Sequence, residues 1–315
     1  MQTYILCSKQ FDPYLNLAVE NYLVNTASNG DIGLFLWKND NTVVIGKNQN
    51  PYAECNVDTL LDDGGKIARR TTGGGAVYHD EGNVNFSFII DKDIYDIRRQ
   101  LKVIIEALKN YGIDAEFNGR NDIVTDGKKF SGNAFLNGNI CCLHHGTLLI
   151  KLDASFMAKY LSVSKEKLFA KGVKSVESRI INLQTLNPKI EYKGLAKALI
   201  EAFQNEYGVA KELDFDDIKA KKEVAILREE YSSNDYIFGS WPKDTSATTI
   251  RYEWGCITLH KDALGKTVAY STDCLYPKIL SKVELLKANK EVVFEDEKEK
   301  EIANIILLEI RETAR

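Results

Sequence analysis

The sequence predicts an α+β fold divided into two unequal domains. Segments with the two-residue period of strands and segments with the helical period alternate along the first part of the chain. Residues 228–248 lack a sustained period, and three strand-like segments followed by two helix-like segments come after them. We therefore expect a large domain over residues 1–240 and a small α+β domain over residues 248–315.

The first domain contains several apolar runs that are typical of strands. Val84–Ile90 alternates, which places its even-numbered apolar residues on one face. Leu34–Trp37 and Thr42–Ile45 flank a turn-rich tetrad at 38–41, and this pattern predicts a hairpin. Residues 140–152 are rich in leucine and other β-favouring residues, which predicts a long strand.

Helical spacing of apolar residues occurs at two places in this domain. Residues 97–108 have this spacing and stop before Gly112, and residues 195–203 have it and stop before Gly208. In the small domain we expect strands and then helices at Thr248–Trp254, Cys256–His260, Lys266–Thr272, Lys278–Asn289 and Asp296–Glu309.

Composition narrows the class of protein. The chain has 315 residues, of which 44% are hydrophobic and 27% charged, as in ordinary globular proteins. Its net charge of −4 argues against broad nucleic-acid binding, which needs a basic excess. We expect no signal peptide and no membrane span, since no basic start precedes an apolar run and no apolar run is long enough. The six cysteines show no metal-ligand spacing, so we expect reduced thiols and a cytoplasmic protein. We also expect the protein to act as a monomer.

The segment Arg69-Arg-Thr-Thr-Gly-Gly-Gly-Ala-Val-Tyr-His-Asp80 is the most informative part of the chain. Three glycines at 73–75 allow positive φ and close backbone approach to a ligand. Successive free N–H groups in such a loop form an anion site, to which neighbouring guanidiniums add donors. The alternative is a flexible surface turn between strands.

This segment resembles the signature of the lipoate–protein ligases. Further matches occur in the family's order at Gly119–Ile123, Lys129–Gly132, His144–Leu149 and Lys171–Val176. Trp254–His260 resembles the family's accessory domain, so the resemblance covers nearly the whole chain and is closest to the bacterial two-domain form. It implies a large mixed-sheet domain of the biotin/lipoate ligase type with a small C-terminal accessory domain.

The resemblance also implies the reaction. ATP, with Mg²⁺, would convert lipoic acid into lipoyl-adenylate, and a lysine of a carrier domain would then take the lipoyl group. The expected carriers are apo E2 lipoyl domains of 2-oxoacid dehydrogenases and the glycine-cleavage H protein. No nucleophile from the enzyme is needed, so the protein contributes positioning and electrostatic stabilisation.

Lys129 is the candidate catalytic residue. It follows Asp126-Gly127, a hairpin-turn signal, and precedes Ser131-Gly132, which leaves room for a ligand. On its own, the Lys128-Lys129 pair could equally be two solvated lysines of an edge strand. In the family, the lysine at the position of Lys129 contacts the carboxyl oxygen and the α-phosphate of the acyl-adenylate, and Lys128 would then remain at the surface.

The resemblance assigns further residues to the ligands. Asp122 is the candidate for Mg²⁺, because this ion prefers one or two carboxylates plus phosphate oxygens, although the Asn-Asp pair could instead form a turn. Of the two arginines, Arg70 matches the position that contacts the phosphates in the family. Arg69 would contact the residues that hold this site and not the ligand itself.

The adenylate-binding candidates are Arg70, Gly73, Gly74, Gly75, Val77, Tyr78, His79, Asn83, Asn121 and Lys129. The lipoate-binding candidates are Leu17, Val44, Arg70, Val77, Lys129, His145 and Gly146. Lys171 and Gly172 would form a lid loop, and a charged turn is the alternative there.

Three rival functions have to be weighed on the sequence. An octanoyltransferase of related fold needs a nucleophilic cysteine downstream of the His-Gly strand, and residues 153–255 contain none. The sequence does not distinguish the ATP-dependent ligase from a transferase that accepts preformed adenylate without using ATP, or from a binder without activity. The adjacent histidines at 144 and 145 have no zinc-type spacing, so we expect packing roles for them.

Overall fold

The structure, a computed structural model, describes residues 2–119, 121–162, 180–243 and 245–313. Its strands, β1 to β14 in chain order, are Thr3–Cys7, Ile32–Trp37, Thr42–Ile45, Lys66–Arg69, Val77–His79, Asn83–Asp91, Glu116–Phe117, Asp122–Thr125, Lys128–Asn137, Cys141–Leu149, Lys211–Glu212, Ser246–Tyr252, Gly255–Lys261 and Thr267–Thr272. Its α-helices, α1 to α12, are Pro13–Thr26, Pro51–Glu54, Val57–Asp62, Ile97–Lys109, Ala154–Tyr160, Leu183–Leu186, Tyr192–Tyr207, Phe215–Lys219, Lys222–Ser232, Asn234–Ile237, Ile279–Lys287 and Glu297–Thr313.

A mixed sheet of eight strands forms the centre of the molecule. The strand order is β11-β1-β2-β6-β10-β9-β8-β7, in which β1 pairs in parallel with β2 and β11 while the other pairs are antiparallel. A second sheet, β4-β3-β5, lies beside it. The α+β class and the large mixed sheet are therefore confirmed.

Strand β6 shows why the core sits where it does. Its apolar face meets α4 and α7 in the largest hydrophobic cluster, which contains Phe86 and Phe88. The opposite face carries Asn83, Asn85 and Ser87, all buried, and turns toward the second sheet and α1. Alternation along one strand thus separates an apolar core from a buried polar layer.

Helices α4 and α7 end as the sequence predicts. The Asp96 carboxylate accepts the backbone N–H of Arg98 and caps α4. Three residues beyond the helix, Gly112 takes a φ of 71°. Gly208, with a φ of 92°, ends α7 directly.

The predicted hairpin of β2 with β3 is wrong. Strand β2 lies in the large sheet between β1 and β6, and β3 lies in the small sheet between β4 and β5. The connecting residues are held by side-chain bonds rather than by a hairpin ladder: Asn16 donates to the Lys38 carbonyl and to the Asn39 side chain. The turn therefore carries the chain from one sheet to the other.

Residues 246–313 form an antiparallel sheet, β12-β13-β14, and two helices around their own hydrophobic cluster. This C-terminal unit contacts the rest of the chain close to the glycine loop, where the Thr272 N–H donates to the Asn48 carbonyl. Helix α9 extends to Ser232 and α10 follows it, so the stretch predicted to be irregular starts with helix. Among the described residues, no helix has the length and apolar character that crossing a bilayer requires.

Candidate active site

A cavity of about 280 Å³ lies between the large sheet, the small sheet and α1. Strands β9 and β10 line it from the large sheet, β3 and β5 line it from the small sheet, and the C-terminal unit contributes one residue, Asp273. Its lining is Leu17, Trp37, Val44, Arg70, Gly74, Gly75, Ala76, Val77, Tyr78, His79, Asn85, Asn121, Asp122, Lys129, Gly132, Asn133, Ala134, His145, Gly146, Thr147, Leu149, Leu152, Met157, Leu161, Ile180 and Asp273.

The glycine loop at 73–75 is held by Arg70. The guanidinium donates to the carbonyl oxygens of Gly73 and Gly75, both at 2.8 Å from Nη2, and to that of Val44 at 3.2 Å. Burial lowers the pKa of Arg70 to about 10, which still leaves it charged at neutral pH. The carbonyl groups of the glycine loop are therefore held by charge-assisted hydrogen bonds to the Arg70 guanidinium.

The loop differs in detail from the expected row of free N–H groups. Only Gly74 of the three has a positive φ, 95°. Its N–H donates to the Cys274 carbonyl of the C-terminal unit at 3.0 Å. A Cβ on Gly73 would lie 2.2 Å from the same carbonyl oxygen, whereas a Cβ on Gly75 would meet open space. The C-terminal unit thus packs directly on the loop in this structure.

Arg69 has a different environment from its neighbour. Its guanidinium donates to the backbone carbonyls of Gly46, Gln49 and Ile237. The side chain is buried and does not line the cavity. Arg69 therefore joins three segments of backbone behind the loop.

The turn between β8 and β9 brings Lys129 into the cavity. Asp126 and Gly127 both have positive φ, 48° and 71°, as a tight hairpin requires. Lys128 points to solvent, while the side chain of Lys129 is 28% exposed and lies 2.7 Å from Asp122 Oδ1. The candidate cation and the candidate metal ligand therefore form an ion pair with each other.

The two adjacent histidines face opposite sides of β10. His145 lines the cavity, where Nδ1 lies 2.8 Å from Glu20 and Nε2 lies 2.8 Å from the Thr72 hydroxyl. His144 lies among the rings of the apolar core and bonds Gln100 and Asn133. Burial lowers the pKa of His144 to about 3, so this ring is neutral and structural.

His79 lies on the cavity wall at the end of β5. Its Nδ1 meets Asn39 at 3.2 Å, and Nε2 is buried without a hydrogen-bond partner among the described residues. Burial, and then electrostatic interactions with Arg70 and His145, lower the pKa of His79 to about 3. The neutral ring therefore has one nitrogen available to a ligand.

The structure gathers most of the predicted site residues around one cavity. Gly73 and Asn83 do not line it: Gly73 packs on the C-terminal unit, and the Asn83 amide donates to Asn85. Lys171 and Gly172 lie outside the described residues. The remaining candidates are all lining residues: Leu17, Val44, Arg70, Gly74, Gly75, Val77, Tyr78, His79, Asn121, Asp122, Lys129, His145 and Gly146.

Some lining residues were missed by the sequence analysis. Asn85 lies on a strand whose alternate residues Asn83, Asn85 and Ser87 are polar, and this polar row beside an apolar one is a signal that could have been used. Met157 and Asp273 carry no such signal. They reach the cavity from separate segments that only the tertiary fold brings close.

The chain is similar to several known proteins. A family model for the lipoyl protein ligase A/B catalytic domain matches residues 12–204. The chain is 40% identical over 270 residues to a protein of Psychrobacter cryohalolentis named lipoate-protein ligase A, and the alignment covers 83% of this chain and 80% of that protein.

Several solved structures also resemble the chain. The crystal structure of P. falciparum LipL1 in complex with lipoate has a TM-score of 0.79 and 29% identity, covering 97% of this chain and 99% of that one. A bi-partite lipoate protein ligase from Thermoplasma acidophilum, studied with its E2 lipoyl domain, has a TM-score of 0.67 and 26% identity, covering 78% and 100%.

Proposed function

Because this chain belongs to the lipoyl protein ligase A/B family, we propose that its cavity is where lipoate is activated by ATP and passed on to a lysine of a carrier domain. The observation that carries this assignment is the meeting of Lys129, Asp122, His145 and the glycine loop around one cavity. The lining combines apolar side chains with a cationic group and polar donors, which suits an acid with an apolar tail.

The reaction proceeds in two steps without an enzyme nucleophile. In the first, a lipoate carboxylate oxygen attacks the α-phosphorus of ATP, and the bond to pyrophosphate breaks. In the second, the ε-amine of the carrier lysine attacks the acyl carbon, AMP leaves with the electron pair of the C–O bond, and the nitrogen loses a proton. Holding the attacking group and the reacting phosphorus or carbon in line accounts for much of the rate enhancement.

Lys129 is the proposed catalytic residue of both steps. Its ammonium would leave Asp122 and contact the lipoate carboxyl oxygen, where negative charge increases during attack on the acyl carbon. A fixed cation in a partly buried site stabilises that charge better than water does. The 28% exposure of the side chain is consistent with a group that moves between two partners.

Arg70, the glycine loop, Tyr78, His79 and Asn121 are the proposed nucleotide contacts. His79 Nε2 is buried and unpartnered among the described residues, so a base or ribose group could satisfy it. The loop has to receive AMP where it now contacts Cys274. Gly73 and Asn83 would support the shape of the nucleotide site without touching the nucleotide, since neither lines the cavity.

The acyl tail would lie along the apolar part of the cavity. Leu17, Val44 and Val77 line this part together with His145 and Gly146. A Cβ on Gly146 would lie 2.5 Å from the ring of Phe86, so glycine is needed there for packing as well as for room.

Asp122 fits the proposed Mg²⁺ site. Mg²⁺ is held in phosphate-transfer sites by one or two carboxylates together with phosphate oxygens. Asp122 is a carboxylate that lines the cavity, and its Oδ1 forms an ion pair with Lys129. When bound, the ion would neutralise charge on the phosphates and favour departure of pyrophosphate.

The proposed partners are apo E2 lipoyl domains and the glycine-cleavage H protein, with the enzyme acting as a monomer in the cytoplasm. The T. acidophilum relative studied with its E2 lipoyl domain supports the first partner. A thioester mechanism is less well supported, because none of the described residues that line the cavity is a cysteine. Cys141 is buried elsewhere, and burial raises its pKa to about 11.

Mass spectrometry of carrier proteins tests this function. The purified protein is incubated with ATP, Mg²⁺, lipoate and one apo carrier, and pyrophosphate release is followed in parallel. We expect one lipoyl group on the carrier lysine and pyrophosphate release that requires lipoate. Transfer from synthetic lipoyl-AMP without any pyrophosphate release from ATP would instead support the transferase that uses preformed adenylate.

A further inference from the structure

A buried chain of hydrogen bonds runs from helix α1 to the glycine loop. Glu20, only 2% exposed, accepts from the Ser87 hydroxyl at 2.5 Å and from His145 Nδ1 at 2.8 Å. His145 Nε2 meets the Thr72 hydroxyl at 2.8 Å, and that hydroxyl accepts Arg70 Nε–H at 3.1 Å. The chain therefore joins a buried carboxylate to the cation that holds the loop.

Chemistry fixes the bond directions at the two ends of the chain. A carboxylate only accepts, so His145 carries a proton at Nδ1. When that is the only N–H of the ring, Nε2 accepts from the Thr72 hydroxyl. The hydroxyl oxygen in turn accepts from Arg70, which can only donate. One carboxylate thus sets the tautomer of His145 and the orientation of Thr72.

Charge balance gives a second reason for Glu20 to be there. Arg70 is 7% exposed, and a buried guanidinium needs a counter-charge or several acceptors. Its immediate partners are neutral carbonyls and a hydroxyl. Burial lowers the pKa of Arg70, and the negative charge of Glu20 opposes that shift.

We propose that Glu20 is a positioning residue of the active site, which acts through His145 and Thr72 to hold Arg70 and the glycine loop in the shape that receives the nucleotide. This inference rests on the proposed role of Arg70 and the loop. It assigns no contact with substrate to Glu20, which does not line the cavity. Its effect on catalysis is therefore indirect and should fall on the nucleotide step.

The tautomer of His145 is the first readout, because it reports directly on the hydrogen bond between Nδ1 and Glu20. We measure it by ¹⁵N NMR of histidine-labelled protein without ligands; the chain has only 4 histidines to assign. We expect Nδ1–H in the wild type, a shift to Nε2–H in Glu20→Ala, and Nδ1–H again in Glu20→Gln, which keeps an acceptor oxygen. The same tautomer in folded Glu20→Ala and in the wild type would overturn the inference.

Kinetics of lipoate-dependent ATP–pyrophosphate exchange is the second readout. We expect kcat/KM for ATP to fall about 10- to 100-fold in Glu20→Ala, with KM for the apo carrier unchanged. Thr72→Val should show the same loss of kcat/KM while the His145 tautomer is retained. This variant tests the hydrogen-bond chain if Glu20→Ala does not fold. Exchange at the wild-type rate in both variants would contradict the proposal.

Gln100→Ala is the matched control. It removes the partner of the neighbouring His144 on the opposite face of β10, away from the cavity. We expect an altered His144 signal with an unchanged His145 tautomer and unchanged exchange. Absence of exchange in the wild-type protein would contradict the proposed function itself, while the tautomer measurement would still test the hydrogen-bond chain.

Discussion

At the scale of single residues, the account depends on Lys129. Lys129→Ala should lower transfer of the lipoyl group from lipoyl-AMP by about 100-fold or more, because the charge that forms on the acyl oxygen loses its cation. The measurement is single-turnover transfer to an apo E2 lipoyl domain, with circular dichroism to show that the variant folds. Lys128→Ala is the matched control, since its side chain points to solvent. An equal loss in both variants, or none in Lys129→Ala, would argue against this role.

Asp122 gives the second prediction at this scale. Asp122→Asn keeps the shape of the side chain and removes its charge, so the Mg²⁺ concentration for half-maximal pyrophosphate exchange should rise about tenfold. A Mg²⁺ titration of the exchange rate measures this. Asp126→Asn, in the exposed turn nearby, should leave the titration unchanged. Superimposable curves for Asp122→Asn and the wild type would remove Asp122 from the metal site.

At the scale of the elements, the contact between the glycine loop and the C-terminal unit can be tested with two adjacent glycines. An added methyl at Gly73 would lie 2.2 Å from the Cys274 carbonyl oxygen, and one at Gly75 would meet nothing within 4 Å. Gly73→Ala should therefore destabilise the protein by about 1–3 kcal/mol. Gly75→Ala should leave the unfolding midpoint unchanged. Denaturant unfolding measures both, and equal midpoints would mean that the two surfaces are not in contact in solution.

Local periodicity predicted most elements, and it failed where partner choice is non-local. Helix α7 and strand β6 were predictable because one face of each is apolar at a regular spacing. The pairing of β2 was not, because two consecutive strands with a short connection can also belong to different sheets. A turn of four residues does not encode that difference.

The residues of the candidate site also fall into those that the sequence could predict and those that only the fold reveals. The triple glycine could be found because it stands in a short motif with a chemical reason. Lys129 was selected from two adjacent lysines by the resemblance to a known family. Glu20 and Asp273 could not, because a carboxylate on a helix or in a loop is usually solvated. Only the fold shows that Glu20 is buried against His145.

At the scale of the whole molecule, two buried histidines make stability depend on pH. The pKa of His79 and that of His144 are lowered from 6.5 to about 3. As pH falls below 6.5 the unfolded chain binds protons that the folded protein does not, so the free energy of unfolding must decrease. Each histidine contributes a slope of about 1.4 kcal/mol per pH unit well below its unfolded pKa and above its folded pKa.

Urea unfolding at several pH values, from neutral down to values well below 6.5, measures this slope. His144→Gln removes one of the two titrating groups while keeping a polar side chain between Gln100 and Asn133. We expect the slope to fall by about 1.4 kcal/mol per pH unit in the variant. Identical slopes in the two proteins would show that His144 is already protonated, or exposed, in the folded state.

A crystal structure with a non-hydrolysable lipoyl-AMP analogue tests the central claim most directly. The quantity to measure is the distance from Lys129 Nζ to the acyl oxygen and to Asp122. We predict that the ammonium leaves its 2.7 Å contact with Asp122 and lies within hydrogen-bond distance of the acyl oxygen, with residues 73–75 against the AMP. An ammonium that points into solvent, or an AMP bound away from the glycine loop, would contradict the account.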